Sequence, residues 1–280
     1  MPFPLHVLDY GSRCRLRELA TPGEVYELQI AAPDFDGLKP FQEIHCAQFG
    51  MMDLVFRDKN TLVAKGFPSL NFDAHELYSI TSAITLKNIT ADHDAQHIFD
   101  KFSIDPWQLD FINCYLTPKF LQDISGKINK RKINLNFGKD CTFHPGVTLE
   151  LICTFFKKVQ ILKLSDNGLL DRNWIDVLLA ARCNEMTRLE INKTSVDIFS
   201  IQESQLIKFL KVAKPRLFTI FITLKENYDD SEVTQALRRL FSEQFWQLEE
   251  EIQPGRIIIS WVSPEGSHRR YYKLRENADR

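Results

Sequence analysis

Short apolar segments recur at nearly constant intervals along the middle of this 280-residue chain. Each segment places one residue between two apolar residues, which is the alternation expected of a strand with one buried face. The first apolar residues of successive segments lie 25, 24, 29 and 27 positions apart, and they are Ile84, Leu109, Ile133, Leu162 and Leu189. A sixth segment, Leu217–Thr223, follows about one interval later. Intervals of ~20–29 residues are typical of leucine-rich repeats.

Stretches with helical spacing lie between these predicted strands. One apolar face precedes the strand at Leu162 and another precedes the strand at Leu189; they consist of Leu149, Ile152, Cys153 and Phe156, and of Trp174, Val177, Leu178 and Ala181. A strand–helix unit cannot bury its apolar face alone, whereas stacked units close a continuous core. The sequence therefore predicts an α/β fold, a degenerate leucine-rich-repeat-like solenoid. An ordinary α/β domain with coincidentally even spacing is the alternative.

The two ends of the chain depart from this interval. Residues 1–36 predict a module of two short helices, with a helix start at Thr21-Pro22, and residues 37–280 form the second predicted domain. That domain begins with a strand and hairpin over 41–66, which would lie at an edge of the array. At its end, 231–252 predicts a helix with an acidic terminus. A hairpin with its turn at Pro264–Ser267 is expected to cap the last edge.

Composition and charge limit the partners that we expect. The net charge is -2 and the isoelectric point is about 6.4, so no general basic field would attract nucleic acid. The six cysteines are scattered and predict free thiols, several of them in the core. We find no signal-peptide pattern and no apolar run of about 18 residues, so we expect no membrane contact and a cytoplasmic or nuclear location.

The sequence offers one pattern with metal-site spacing. His93 and His97 are four positions apart and would share one face of a helix, as zinc ligands do. Asp94 stands where a metalloprotease would carry its catalytic glutamate, and no third ligand is signalled. A solvated helix start with acidic residues explains the segment better. Phosphate-loop and nucleophile motifs are also lacking, so we expect no cofactor, no metal and no enzyme, and a metal-dependent hydrolase stays a minor alternative.

Two sets of residues are candidates for a protein-binding surface. In a parallel array, the residues between the paired apolar positions would face one exposed side of the sheet; they are Thr85, Asp110, Asn134, Lys163 and Glu190. The loops that follow the strands offer a second set, namely Asn88, Asn113 and Asn167. The sequence does not choose between the strand residues and the loop residues.

The segment Ile201–Ile222 resembles a known family. It carries a helical pattern, a corner and a strand, with the matching residues Leu206, Phe209, Leu210, Lys211, Pro215, Arg216 and Leu217. This order resembles the F-box-associated domains that are expanded in nematodes, and 257–274 is similar to the closing hairpin of that family. The resemblance covers about 84–274 and is most specific at 201–222.

The resemblance implies a role in ubiquitin conjugation. Proteins of that family usually begin with an F-box, a helical module that docks on the Skp-type adaptor of a cullin-based ubiquitin ligase. Here the corresponding adaptor-binding residues would be Pro4, Leu5, Leu8 and Leu16, although Phe3-Pro4-Leu5 replaces the usual Leu-Pro opening. The second domain would then bind an unknown protein substrate and hold it near the ligase. A ligase-independent scaffold, in which the N-terminal helices are only a cap, is the alternative.

Overall fold

The computed structural model describes residues 7–35, 37, 39–46, 50–58, 61–66, 75–128, 132–138, 140–165, 168–183, 185–212, 218–226, 228–249 and 256–275. Pro4, Leu5 and Asn167 lie outside these residues, as do Pro215, Arg216 and Leu217. Within them, no helix combines the length and the apolar character that a membrane crossing requires.

The described ranges contain eight α-helices and sixteen strands. The helices are α1 Tyr10–Leu19, α2 Pro22–Ala31, α3 Gln96–Phe99, α4 Pro118–Ile128, α5 Leu149–Phe155, α6 Trp174–Ala180, α7 Glu203–Val212 and α8 Asp230–Leu240. The strands are β1 Ile44–Cys46, β2 Met51–Asp58, β3 Thr61–Gly66, β4 Leu77–Ile80, β5 Ala83–Lys87, β6 Phe102–Ile104, β7 Gln108–Ile112, β8 Tyr115–Leu116, β9 Ile133–Phe137, β10 Thr142–Phe143, β11 Val159–Ser165, β12 Arg188–Thr194, β13 Thr219–Glu226, β14 Phe245–Leu248, β15 Ile257–Ser263 and β16 Gly266–Leu274.

The protein is a mixed α/β fold built on one large, mostly parallel sheet. Its eleven strands lie in the order β14-β16-β15-β13-β12-β11-β9-β7-β5-β2-β3. From β2 to β15 every neighbouring pair is parallel, whereas the hairpins β2–β3 and β15–β16 and the pair β14–β16 are antiparallel. Two small parallel sheets, β1-β4-β6 and β10-β8, complete the strand content. The predicted α/β class and both predicted hairpins are confirmed.

One row of apolar side chains crosses the parallel strands in register. Ile84 pairs with Leu109, Leu109 with Leu135, Leu135 with Leu162 and Leu162 with Leu189, and none of these side chains is more than 1% exposed. Leu135 therefore occupies the place that the sequence reasoning gave to Ile133. With this correction the steps become 25, 26, 27 and 27 residues, which is more even than predicted.

The helices from α3 to α8 cover the face of the sheet that carries this row. Each of the six contributes buried side chains, such as Phe120, Trp174 and Leu237, to the same cluster as the row itself. Because strand side chains alternate between faces, the residues beside each core position point to the opposite face. Thr85, Asp110 and Glu190, each next to a residue of the core row, therefore point away from the helices.

The chain turns at the same place after several of the parallel strands. Asn88, Asn113 and Asp140 follow β5, β7 and β9 and have positive φ angles of 62°, 53° and 59°, and Lys193, the last residue but one of β12, has a φ angle of 54°. Asparagine and aspartate tolerate this left-handed backbone better than most residues, which explains why asparagine-like residues recur there. The turn sends the next residues back into the core, where the Cys114 thiol donates to the Leu86 carbonyl at 3.4 Å.

One predicted helix is partly a strand. The segment 231–252 begins as α8, but the helix ends at Leu240, and Phe245–Leu248 forms β14 at the edge of the sheet. The ring of Phe241 stacks on Tyr272 with centroids 3.9 Å apart, and Phe245 is buried beside it. Burial of these rings against β16 outweighs the helical composition of the segment. As a result, β14 rather than the closing hairpin forms the last edge.

Candidate protein-binding surface

The face of the sheet opposite the helices carries a row of mainly polar side chains, which we call the open face. Strand register places these residues side by side: Asp53, Thr85, Asp110, Asn136, Lys163, Glu190 and Phe221. Asn136 takes the position that was predicted for Asn134, for the same reason that Leu135 replaces Ile133. Asn134 lies on the same face, two residues earlier on β9.

An ion-pair network occupies the middle of the open face. Lys163 Nζ lies 3.1 Å from Glu190 Oε2, and the Arg188 guanidinium contacts the other oxygen of the same carboxylate. That guanidinium also lies over the Phe221 ring, 4.1 Å from its centroid. Glu190 is only 8% exposed, because the two cations cover it. The predicted surface residues Lys163 and Glu190 therefore contact each other directly.

A second group of charged and polar side chains, joined by hydrogen bonds, lies toward β2. Lys87 Nζ donates to Asp53 Oδ2 at 2.6 Å, and the Gln108 amide donates to both oxygens of Asp110, the shorter distance being 2.9 Å. Thr85, Asp110 and Glu190 are only 3%, 8% and 8% exposed, so the prediction that the whole row is exposed is wrong for these three. The Gln108 side chain, on the same strand as Asp110, contacts that carboxylate. The surface that a partner would meet consists of the half-exposed charges around them.

The two described loop candidates help to hold the backbone turn. Asn113 Nδ2 donates to Asn88 Oδ1 at 2.9 Å, and both residues have left-handed backbones. Both side chains are exposed at the edge of the open face. Their amide pair links two successive turns, so at least one use of Asn88 and Asn113 is structural.

The N-terminal module forms two capped helices, as predicted. Asp9 caps α1, and Thr21 with Glu24 forms a reciprocal capping box at the start of α2. Leu8 and Leu16, the two described adaptor-binding candidates, pack with Leu28 and Ala32 around the buried ring of Phe35. These two leucines thus help to build the small core of the module.

Other apolar side chains of the module face outward. Four of the eleven exposed large hydrophobic residues in the described part of the chain lie on or beside these helices: Val7 at 79%, Tyr10 at 80%, Leu19 at 67% and Ile30 at 60% exposure. Sequence reasoning chose none of these four as adaptor-binding residues, because helical spacing alone does not show which face of a short helix the rest of the chain covers.

A close backbone contact fixes α2 against the rest of the protein. The Gly23 amide donates to the Asp100 carbonyl at 3.0 Å, and a Cβ on Gly23 would lie 2.0 Å from the Phe99 carbonyl oxygen. Lys127 of α4 adds an ion pair with Glu27 at 2.9 Å. Beside this contact, α2 and the small sheet β1-β4-β6 enclose a groove of about 1080 Å³. Sequence reasoning missed the role of Gly23, although a glycine inside a capping box was a usable signal.

The histidine pair does not form the helix face that the sequence suggested. His93 precedes α3 and is 8% exposed, with its ring 4.3 Å from that of Phe56. Its Nδ1 accepts from the Thr90 amide at 2.8 Å, and its Nε2 lies 2.9 Å from the Asp58 carbonyl. The expected solvated helix start is therefore wrong for His93, because its ring is buried and both ring nitrogens lie within hydrogen-bonding distance of backbone groups. Among the residues described, no group of three metal-ligating side chains occurs.

Comparisons with known proteins add no family: no family model, no curated protein and no solved structure matches this chain.

Proposed function

We propose that this chain is a non-catalytic recognition subunit, built as a leucine-rich-repeat-like array that binds another protein on its open face. The observation that supports this best is the open face itself. One side of the parallel sheet is covered by six helices, and the other carries paired charges with polar and aromatic side chains between them. Binding a folded partner needs such a broad, polar and preorganised surface rather than an enclosed pocket.

Three features support the array within this proposal. The core residues Ile84, Leu109, Leu135, Leu162 and Leu189 follow at steps of 25–27 residues in one register. A left-handed residue recurs after the strands, and neighbouring turns are joined by hydrogen bonds such as Asn113 to Asn88. Each unit thereby contacts mainly its neighbours, which is how solenoids are stabilised.

The N-terminal module would supply the second interaction. We propose that its outward apolar residues dock on the Skp-type adaptor of a cullin-based ubiquitin ligase, so that a substrate on the open face is held beside the ligase. Exposed apolar side chains on a small helical module are typical of a protein interface. Tyr10 and Leu19 would make this contact, whereas Leu8 and Leu16 would support it from within the module.

A ligase-independent scaffold is the second candidate. The observation that favours it is the docking of α2 through Gly23 and Glu27, which makes the module a cover for α3 and the adjoining small sheet. A cap of this kind would be needed whether or not an adaptor binds. In that case the open face would still bind a partner, but without ubiquitylation.

A charge exchange on the open face tests the recognition proposal. In the double variant Asp53→Lys with Lys87→Asp the ion pair is retained but its polarity is reversed, so the urea midpoint should stay unchanged. We expect the variant to recover, from a cell extract, at least about tenfold less of those proteins that the wild-type chain captures through the open face. Equal recovery by wild type and variant of every captured protein would contradict the proposal. The variant Tyr10→Asp with Leu19→Asp is the control, because it leaves the open face intact.

A further inference from the structure

The open face changes in charge at the end formed by β15, β16 and β14. On β2, β7 and β12 its row includes the carboxylates of Asp53, Asp110 and Glu190. The strands β14, β15 and β16 contain no aspartate and no glutamate. Glu249 directly follows β14 and Glu265 lies in the hairpin turn, so carboxylates occur beside these strands but not within them.

Basic and aromatic side chains replace the carboxylates at this end. Strand register continues the row from Phe221 through β15 to Tyr271 of β16. Since strand side chains alternate between faces, Arg269 and Lys273 lie on the same face as Tyr271. Lys273 pairs with Trp246 of β14, which places the indole ring on the open face as well.

An arginine lies over this tryptophan at the edge of the sheet. The guanidinium carbon of Arg275 is 4.0 Å from the centroid of the Trp246 ring, and both side chains are exposed, Trp246 by 54%. A guanidinium that rests on an aromatic ring still presents its fork of N–H groups to a carboxylate. We call this group of side chains the basic end of the open face: Trp246, Arg269, Tyr271, Lys273 and Arg275.

The same tryptophan stands on an edge strand. β14 is the first strand in the sheet order and pairs with β16, and no strand among the described residues pairs with its outer side. Backbone N–H and C=O groups at such an edge can pair with an extended segment of another chain. A second copy of this chain suits the edge poorly, because pairing two β14 strands would bring two basic ends together. An acidic segment complements both the backbone groups and the cations.

We propose that an extended, acidic segment of the partner protein adds to β14 as a further strand and places its carboxylates on the basic end. The inference rests on the proposed recognition function and specifies the chemistry of the partner. Every second residue of the added strand would face the open face beside Trp246 and Arg275, and the residues between them would face the side of Phe245 and the helices. Phe245 is buried. We therefore expect acidic residues to alternate with apolar residues in the segment.

Fluorescence anisotropy with two model peptides tests the proposal. The probes are fluorescein-labelled eight-residue peptides that alternate valine with glutamate or valine with lysine, titrated with the full chain. We expect the glutamate peptide to bind with a Kd below about 100 μM, and the lysine peptide to bind at least about tenfold more weakly. No binding of the glutamate peptide in this range, equal affinity for both peptides, or tighter binding of a twelve-nucleotide oligothymidylate would overturn the proposal.

Charge substitutions test the position of the site. Arg275→Glu should weaken binding of the glutamate peptide at least about tenfold, because it places a like charge beside the carboxylates. Arg172→Glu makes the same change of charge at an exposed position before α6 and should leave the affinity unchanged. Bound peptide should also slow amide hydrogen exchange in β14. An equal loss of affinity in both variants, or exchange in β14 that the peptide does not slow, would contradict binding at this edge.

Capture from a cell extract separates failure of this inference from failure of the recognition proposal. We expect Arg275→Glu to recover less of the proteins that the wild-type chain captures through the open face. If Arg275→Glu recovers them as the wild type does, while the variant Asp53→Lys with Lys87→Asp loses them, recognition by the open face stands and the basic end is not its site. If both variants recover them as the wild type does, the recognition proposal fails as well.

Discussion

The N-terminal module and the sheet-based body differ in how much core each possesses. The body has one cluster that includes the core row of the sheet and buried residues from six helices. Among its described residues the module buries only two apolar side chains, Phe35 with four partly buried neighbours and Val25 in α2, and it exposes Tyr10 and Leu19. A region this thinly packed depends on contacts with something else.

This difference in packing indicates that the body, rather than the N-terminal module, provides most of the stability of the protein. The body supplies its own stability and can present a rigid open face. The module is held to the body by α2, through Gly23, Glu27 and the Thr21 hydroxyl, which contacts Asp100 Oδ1 at 3.2 Å. A weakly packed module with exposed apolar residues is suited to becoming fully buried only when a partner binds.

The largest effect should come from the core row of the body. Leu162→Ala removes a side chain that is 1% exposed in the centre of the sheet, and we expect a loss of about 3–5 kcal/mol in the free energy of unfolding. Leu16→Ala, in the module, should leave the main urea transition unchanged because the module can open separately. Equal shifts of the transition in both variants would show that module and body form one cooperative unit.

A smaller effect should follow from a change at the joint between the two regions. In Gly23→Ala the new Cβ would meet the Phe99 carbonyl oxygen at 2.0 Å, so α2 must move away. We expect amide hydrogen exchange to accelerate across α1 and α2 while the urea midpoint of the body is retained.

Gly126→Ala is the matched control for this joint. A Cβ there meets nothing within 4 Å, and the residue lies in α4, so the replacement should stabilise the protein by about 0.5–1 kcal/mol. If amide hydrogen exchange in α1 and α2 is the same in Gly23→Ala as in the wild type, the contact between Gly23 and the Phe99 carbonyl does not hold α2 in place.

The charge network of the open face should contribute less to stability than the core row does. In Glu190→Gln the Lys163 ammonium and the Arg188 guanidinium lose the carboxylate between them, and we expect a cost of about 1–2 kcal/mol. Glu243→Gln, at an exposed position outside the sheet, should cost nothing measurable. Urea unfolding at low salt measures both values. A cost for Glu190 as large as that for Leu162 would contradict the expectation that the core row contributes more stability than the open face.

The smallest effect concerns pH and Asp94. The Gln96 amide, followed by the Lys119 ammonium, lowers the pKa of Asp94 below its usual 3.8. A lowered pKa means that Asp94 stabilises the fold above about pH 4 and that this contribution is lost as the pH falls through its folded-state value. The difference in urea midpoint between wild type and Asp94→Asn should therefore be small at about pH 6 and should shrink at about pH 3. If the difference in urea midpoint between wild type and Asp94→Asn is the same at both pH values, ionisation of Asp94 does not contribute to stability.

The sequence was sufficient to predict the repeated parallel strands of the large sheet but not their register. In β9 three apolar residues alternate, Ile133, Leu135 and Phe137, and all three are buried. Alternation determines which face a residue occupies, but it does not determine which of three equivalent residues pairs with the neighbouring strand. Only the contacts of β9 with β7 and β11 select Leu135, so Asn136 rather than Asn134 belongs to the row of the candidate surface.

Long-range contacts explain what else the sequence did not reveal. The burial of His93 depends on the Asp58 carbonyl, 35 residues away, and β14 forms because Trp246 and its neighbours pair with β16. Strands of three or four residues, such as β4 and β6, also carry too short a pattern to be recognised. For the module, helix starts could be predicted from Thr21 and Pro22, but the burial of Leu8 and Leu16 around Phe35 could not.

A calorimetric titration of the full chain with purified Skp-type adaptor tests the proposed recognition subunit most directly. We expect a one-to-one complex whose affinity falls at least about tenfold in the variant Tyr10→Asp with Leu19→Asp and is unchanged in the variant Asp53→Lys with Lys87→Asp. If the folded chain forms no complex at adaptor concentrations of about 100 μM, the ligase role is contradicted and the ligase-independent scaffold remains as the proposed function.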